Sequence, residues 1–222
     1  MNELNNKRIF ASWSGGKDSC LALYDAGQDG ALPQCLLTML KESGERTRSH
    51  GLDPSIIRAQ AGALSLPLVV RNASWDNYEK EFLEVLHTLK AQGVEAGVFG
   101  DIDLEAHREW VERVCAAAGL DAFLPLWQQE RRHLLARFLG SGFSATIVAV
   151  KDELLPQSFL GRRLDAATIS DLEGAGVDAC GEEGEYHTVV TDGPLFSRPV
   201  ILTAGEIFSH DGYSFLDMRL AS

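Results

Sequence analysis

The first half of the chain alternates short apolar runs with segments of helical periodicity. The apolar runs predict strands over residues 7–13, 34–40, 66–71, 94–99 and 123–126. Apolar residues three and four apart predict helices over 18–28, 53–64, 76–92 and 104–118. This order predicts βαβ units, and therefore an α/β fold with a parallel sheet and helices on both faces. Ligands of such sheets bind at the carboxyl ends of the strands.

The pattern changes near Trp127 and becomes richer in glycine, glutamate and threonine after residue 178. Helices are predicted over 130–139 and 165–173, the second ending at Gly174. Strands are predicted over 145–150, 186–191, 200–203 and 214–219. We therefore expect two domains, a parallel-sheet domain over 1–127 and a smaller α+β domain over 128–222.

Charge and composition narrow the classes of partner. The 222 residues include 20 basic and 32 acidic side chains, a net charge of −12. We therefore do not expect a protein that binds nucleic acid by neutralising many of its phosphates. A small anion site is still compatible with this charge, because a few backbone N–H groups suffice to bind one phosphate. No apolar run is long enough for a membrane helix or a signal peptide, and the four cysteines form no C-x-x-C pair. A cytoplasmic location with no membrane partner is expected.

The segment with the strongest chemical signal is Ser12-Trp13-Ser14-Gly15-Gly16-Lys17-Asp18-Ser19, which follows the first predicted strand and opens the first helix. Paired glycines let a ligand approach the backbone, and the first turn of a helix attracts anions through its unpaired N–H groups and dipole. The pattern differs from a Walker A loop, because aspartate follows Gly16-Lys17. Asp18 fits a helix N-cap, a magnesium ligand, or both. A strand-to-helix turn whose glycines serve geometry alone is the alternative.

This loop resembles the pyrophosphate loop of the N-type ATP pyrophosphatases, in the adenine nucleotide α-hydrolase group. Other segments resemble one branch of that group, the diphthine–ammonia ligase (diphthamide synthase) family: residues 99–102, 107–112, 124–127, 178–188 and 192–196. The resemblance covers nearly the whole chain. It implies a Rossmann-like ATP pyrophosphatase domain over 1–127 and a substrate-binding domain over 128–222.

The resemblance also implies the chemistry. ATP activates a carboxylate as its adenylate with release of pyrophosphate, and ammonia then displaces AMP to leave an amide. The implied acceptor is diphthine on elongation factor 2 in an archaeal or eukaryotic setting, and another carboxylate in a bacterial one, for which a cobalamin-related amidation has been suggested. Magnesium is the expected cofactor of ATP. Two alternatives stay open, a tRNA-modifying ATP pyrophosphatase and an adenine-nucleotide sensor without turnover.

Site residues follow from the same resemblance and from their positions after predicted strands. We expect the following residues to bind ATP: Ser12, Ser14, Gly15, Gly16, Lys17, Asp18, Ser19, Thr38, Gly100 and Asp101. We expect a second set of residues to bind the substrates, which are the acceptor and ammonia: His50, Arg108, Gly181, Glu182, Gly184, Glu185 and Thr188. The expected catalytic set is Lys17, Asp18, Glu182, Glu185 and His187, with Asp18 and Asp101 as candidate magnesium ligands.

Several of these residues have an ordinary structural alternative. Asp101 could cap the next helix, and Arg108 could form a surface ion pair. Glutamates 182, 183 and 185 fit either a cation or ammonium site or an acidic solvated turn, and Glu183 stays undecided. His187 is either a base that takes a proton from ammonium or a strand residue with a structural hydrogen bond.

Overall fold

Five of the predicted strands form one parallel sheet in the computed structural model, which describes residues 4–221. They are β1 (Arg8–Ser12), β2 (Leu32–Leu40), β3 (Leu68–Asn72), β4 (Ala96–Val98) and β5 (Asp121–Phe123). Their order across the sheet is β3-β2-β1-β4-β5. Because β1 is central, with β2 on one side and β4 on the other, the loops after β1 and β4 meet at the point where the strand order reverses.

Helices connect these strands as the periodicity predicts. They are α1 (Lys17–Gln28), α2 (Pro54–Leu64), α3 (Tyr78–Ala91) and α4 (Glu105–Ala117). The apolar faces of α3 and α4 share one core with the side chains of β1 and β2, including Phe10, Leu37, Phe82, Leu86 and Val114. The predicted α/β class with a parallel sheet flanked by helices is therefore confirmed.

The later part of the chain forms an antiparallel sheet. Its strands are β6 (Ser144–Lys151), β7 (Tyr186–Asp192), β8 (Leu202–His210) and β9 (Tyr213–Leu220), in the order β7-β6-β9-β8. Two helices accompany it, α5 (Arg131–Gly140) and α6 (Ala166–Gly174), with a short 3-10 turn over Gln157–Phe159. Glu130 and Asp165 cap α5 and α6 with their carboxylates, which accept hydrogen bonds from first-turn N–H groups.

Two predicted strands differ from the structure in position or length. The strand expected over 123–126 lies instead at Asp121–Phe123, because Pro125 cannot donate to a strand ladder and Trp127 closes a turn onto Leu124. The strand expected over 200–203 extends as β8 to His210. This edge strand is largely exposed, so its sequence lacks the alternation that marks a half-buried strand. The helix predicted over 165–173, which is α6, ends at Gly174, as expected.

The chain divides into two compact units. The first contains Met1–Ser14, Asp18–Thr47 and Ser65–Gln128, and the second contains Gly15–Lys17, Arg48–Leu64 and Gln129–Ser222. The expected domains, 1–127 and 128–222, stay a prediction. Across residues 4–221, no helix has both the length and the apolar character needed to span a membrane.

Candidate active site

The loop between β1 and α1 has the form that the sequence predicts for an anion site. Gly15 has a φ of +83°, a backbone conformation that favours glycine. In the first unit, the hydroxyls of Ser14 and Ser19 lie 3.1 Å apart. Helix α1 begins at Lys17 rather than at Asp18, so Asp18 lies within the first turn instead of at the N-cap. A carboxylate there interacts favourably with the helix dipole.

In the second unit, the middle of this loop is held by β7. The Lys17 N–H donates to the Thr188 hydroxyl at 3.1 Å, and the Val190 N–H donates to the Gly15 carbonyl at 2.9 Å. The fully buried Gln60 amide donates to the carbonyls of Gly15 and Val190, at 3.0 and 2.7 Å. Thr188, expected to bind substrate, thus forms a hydrogen bond with the loop between β1 and α1. Residues 14–19 of this loop are called the phosphate loop below, after the role that the sequence predicts for them. The Lys17 N–H, one of the donors expected for phosphate, has a protein acceptor in this structure.

Gly16 lies where a side chain would not fit. A Cβ on Gly16 would overlap the Nε2 atom of His50 and would lie 3.2 Å from the Thr188 carbonyl oxygen. His50, which precedes α2 by four residues, and strand β7 therefore approach the backbone of the loop closely, because Gly16 has no side chain. His50, predicted at the acceptor, lies against the phosphate loop.

Lys17, which is buried, and two half-buried histidines lie close together in the second unit. Lys17 is 5% exposed, with its Nζ 5.6 Å from the centre of the Tyr186 ring. The rings of His50 and His187 are 4.7 Å apart, and His187 stacks on Tyr213 at 6.0 Å. Burial and then the charges of His187 and Lys17 hold the pKa of His50 well below its usual value. Burial and then Lys17 lower the pKa of His187 to about 4. Both imidazoles are therefore uncharged at neutral pH.

In the first unit, the loop after β4 comes against the start of α1. A Cβ on Gly100 would lie 2.8 Å from both the Asp18 carbonyl carbon and the Ser19 nitrogen. Asp101 is not the cap of α4, whose N-cap is Leu104. Its carboxylate instead lies 3.1 Å from Nδ1 of His107. The structure thus brings Gly100 to the start of α1, as strand order predicts, and Asp101 follows it in the chain.

Two other predicted ATP contacts lie where β1 and β2 end. Ser12 is the last residue of β1 and pairs in register with Leu37. The Thr38 hydroxyl is buried and donates to the carbonyl of Trp13 at 2.7 Å. Thr38 therefore fixes the backbone that leads into the phosphate loop. A direct contact between Thr38 and ATP stays a prediction.

The acidic segment around residue 183 is organised by two of its own carboxylates. Asp178 accepts hydrogen bonds from the N–H groups of Cys180 and Glu182, and forms an ion pair with Arg131 at 2.8 Å. Glu185 is 4% exposed, and its carboxylate accepts the Glu183 N–H at 3.0 Å. Glu183 itself is exposed. The turn is thus a structured loop, and Glu185 is the buried acid within it.

The glycines of this turn keep it next to β9. The Tyr213 hydroxyl donates to the carbonyl oxygen of Gly184 at 2.9 Å. Gly181 has a φ of +72°, and a Cβ there would lie 2.8 Å from the Tyr186 ring. Both glycines, predicted at the substrate, therefore shape the turn. Their contact with a substrate stays a prediction.

Arg108 takes part in ion pairs on the surface of α4. Its guanidinium lies 2.7 Å from Glu112 and 3.8 Å from Glu105, and over the Trp127 ring. A surface ion pair is the alternative role that the sequence leaves open for Arg108. Binding of a phosphate or carboxylate by Arg108 would require it to exchange one of these acidic partners.

Three residues of the site are missed by the sequence analysis. Asp178 begins the segment 178–188 that carries the resemblance, and Tyr213 lies in no motif. Each has a partner far along the chain, Arg131 for Asp178 and Gly184 for Tyr213. Gln60 does carry a signal, since it falls on the buried stripe of α2 with Ile56 and Ile57. A polar residue at a core position of an amphipathic helix indicates a buried hydrogen bond.

Thr188→Val tests the attachment of the loop to β7. The variant removes the oxygen that accepts the Lys17 N–H at nearly constant volume, so we expect unfolding to become easier by about 1–2 kcal/mol. Urea denaturation measures this. The matched control is Thr191→Val on the same strand, whose hydroxyl lies 3.4 Å from the Ser144 carbonyl. Equal losses in the two variants would contradict a specific role for Thr188.

Comparison with known proteins covers nearly the whole chain. The family model described as the diphthamide synthase N-terminal domain matches residues 7–122, and the one described as its C-terminal domain matches 130–222. The diphthine–ammonia ligase of Bos taurus is 31% identical, with 94% of this chain and 87% of that protein covered. The diphthine–ammonia ligase of Homo sapiens is 30% identical with the same coverage. A solved structure, a predicted subunit of tRNA methyltransferase from Methanocaldococcus jannaschii, covers 83% of this chain and 96% of its own, with a TM-score of 0.45 and 18% identity.

Proposed function

The chain belongs to the diphthamide synthase family, and on that premise we propose that it is a ligase that uses ATP to convert a carboxylate into an amide with ammonia. The relatives named above are diphthine–ammonia ligases. The observation that supports the proposal most is the loop Ser14–Ser19, with its buried Lys17 and its attachment to β7. It offers a cation and a helix N-terminus to the phosphates of ATP.

The reaction has two steps. A carboxylate oxygen of the acceptor attacks the α-phosphorus of ATP, and the bond from that phosphorus to the bridging oxygen of pyrophosphate breaks. The nitrogen of ammonia then attacks the acyl carbon, the bond from that carbon to the oxygen of AMP breaks, and one proton leaves the nitrogen. Positioning and charge stabilisation are the main contributions a protein makes to such steps.

In this proposal the loop Ser14–Ser19 holds the pyrophosphate portion of ATP. The Ser14 and Ser19 hydroxyls lie together at the start of α1 and donate to phosphate oxygens, and Lys17 places its charge beside the loop. Glu182, Glu185 and the acidic turn are proposed to attract the ammonium from which ammonia is drawn. Because Glu185 is buried and Glu183 is exposed, Glu185 is the better placed of the two to act on a bound ligand.

Magnesium fits this site as an ion that binds together with the nucleotide. Within residues 4–221, no group of three or more histidine, cysteine, aspartate or glutamate side chains could hold a metal ion. Mg²⁺ in nucleotide enzymes commonly takes one or two carboxylates, with substrate phosphates and water. Asp18 and Asp101, which follow β1 and β4, match that donor set. When bound, Mg²⁺ neutralises charge on the departing pyrophosphate.

We propose diphthine, on elongation factor 2, as the acceptor. The proposal rests on the names of the relatives and on matches to both family domains. The net charge of −12 fits a protein or small-molecule acceptor better than a nucleic acid.

The acceptor is tested with ¹⁵N-ammonium. The protein is incubated with ATP, magnesium and elongation factor 2 that carries diphthine, and the modified peptide is analysed by mass spectrometry. We expect one ¹⁵N atom in the side-chain amide, dependent on ATP, and none in a control factor with the unmodified histidine. An unlabelled diphthine peptide in a reaction that still forms AMP with another carboxylate would contradict diphthine and retain the ligase.

A further inference from the structure

Two histidines of the second unit have no role in the reaction as written above. His50 precedes α2, and a Cβ on Gly16 would overlap its Nε2 atom. His187, on β7, lies behind it with its ring 4.7 Å from that of His50, and Tyr213 from β9 lies behind His187. The three rings therefore form a row, and His50, at one end of it, lies against Gly16 of the phosphate loop.

Among the residues that the structure describes, Lys17 and the two imidazoles themselves are the charged and titratable groups shown to act on this pair. Lys17, at the start of α1, acts on both imidazoles, and each imidazole faces the other. Tyr213 presents its ring to His187, and β7 presents the Thr188 carbonyl to Gly16. A buried cation beside two half-buried imidazoles disfavours a second positive charge. The pair is therefore uncharged while the loop binds no anion.

A phosphate on the loop changes this balance. It brings negative charge to the same place as Lys17, and attraction to that charge favours an imidazolium. One full negative charge about 4 Å away raises a pKa by roughly three at the effective dielectric typical of proteins. His50, whose Nε2 lies nearest the loop, receives this effect most strongly, and its pKa starts well below the usual value.

We propose that a phosphate seated on the loop Ser14–Ser19 accepts a hydrogen bond from Nε2 of His50, and that the His50–His187 pair takes up one proton from solvent as that phosphate binds. His50 is then a further ligand of the departing pyrophosphate, and His187 is a positioning residue that shares the proton. The proton returns to solvent when pyrophosphate leaves. The proposal rests on the proposed function, because it requires the loop to bind phosphate.

The test is a pH titration of the histidine ring nitrogens by ¹H–¹⁵N NMR, for the free protein and for the protein saturated with magnesium pyrophosphate. His50 and His187 are assigned from the spectra of His50→Gln and His187→Gln. We expect both rings to stay neutral down to about pH 5 in the free protein. With pyrophosphate, we expect one imidazole of the pair to titrate at a pH up to about three units higher than in the free protein.

Binding affinity gives a second readout. Because the complex binds one more proton than the free protein, the affinity of the wild type relative to His50→Gln should rise by up to about tenfold for each pH unit between pH 7 and 5. His133→Gln, at an exposed histidine of α5, is the matched control and should behave as the wild type.

The outcomes separate this inference from the function on which it rests. Pyrophosphate that shifts the amide signals of Gly15 and Gly16 but leaves both histidines neutral would overturn the inference and retain the phosphate loop. Failure of pyrophosphate and ATP to bind at all would overturn both. A shift of the ring titration that persists in His50→Gln would show that His50 is not the phosphate contact, and would also overturn the inference.

Discussion

Gly16→Val is expected to abolish ATP binding and to leave the protein folded. The new Cβ would overlap Nε2 of His50 and lie 3.2 Å from the Thr188 carbonyl oxygen, so the loop must move away from β7. Gly16 does not have a left-handed backbone conformation, so valine can adopt its φ and the fold need not change. A displaced loop no longer aligns its hydrogen-bond donors with the phosphates of ATP. A displacement of reacting groups by about 1 Å can lower activity by about 100-fold.

Calorimetric titration with ATP and magnesium measures this loss, and circular dichroism measures the fold. Gly27→Val is the matched control, because Gly27 also lies at α1 and a Cβ there meets nothing within 4 Å. We expect that control to bind ATP normally, with a change of less than about 1 kcal/mol in the free energy of unfolding. Full ATP binding by a folded Gly16→Val protein would contradict the assignment of the loop.

Lys17→Met is expected to lower the rate of ATP cleavage by about 10²- to 10³-fold, which is typical when one charge-stabilising group is removed from an active site. Methionine is unbranched and fits the buried position beside Tyr186, so the fold should persist. The charge of Lys17 is also one cause of the lowered pKa values of His50 and His187. Both pKa values should therefore rise in the variant.

Release of pyrophosphate in the steady state measures the rate, and NMR of the histidine rings measures the two pKa values. Lys90→Met, at an exposed lysine of α3, is the control and should leave both unchanged. Wild-type turnover in a folded Lys17→Met protein would contradict the role of the Lys17 charge. An unchanged histidine titration in the same variant would contradict its electrostatic effect on the pair.

The sequence predicts the parallel sheet well because its signals are local. Each strand is a short apolar run, and each helix carries a stripe such as Phe82, Val85 and Leu86, so periodicity alone places them. The phosphate loop is equally visible, because Ser14–Ser19 directly joins a strand to a helix. Strand order then explains why Gly100 lies at the start of α1.

The sequence does not predict how the loop is held. Lys17 and Thr188 are 171 positions apart, and no pattern marks their hydrogen bond. The ion pair of Asp178 with Arg131 and the pairing of His50 with His187 also join distant segments. Periodicity also fails at β8, where an exposed edge strand has no buried face to impose alternation. Contacts between distant segments therefore had to come from the structure.

The central claim, cleavage of ATP between the α and β phosphates for amide formation, is tested most directly by the identity of the nucleotide product. The protein is incubated with α-labelled ATP, magnesium and ammonium, with and without acceptor, and AMP is separated from ADP. We predict AMP and pyrophosphate in equal amounts, increased by acceptor and ammonium and absent with Gly16→Val. ADP as the product, or ATP binding without turnover in the presence of every acceptor, would contradict the ligase.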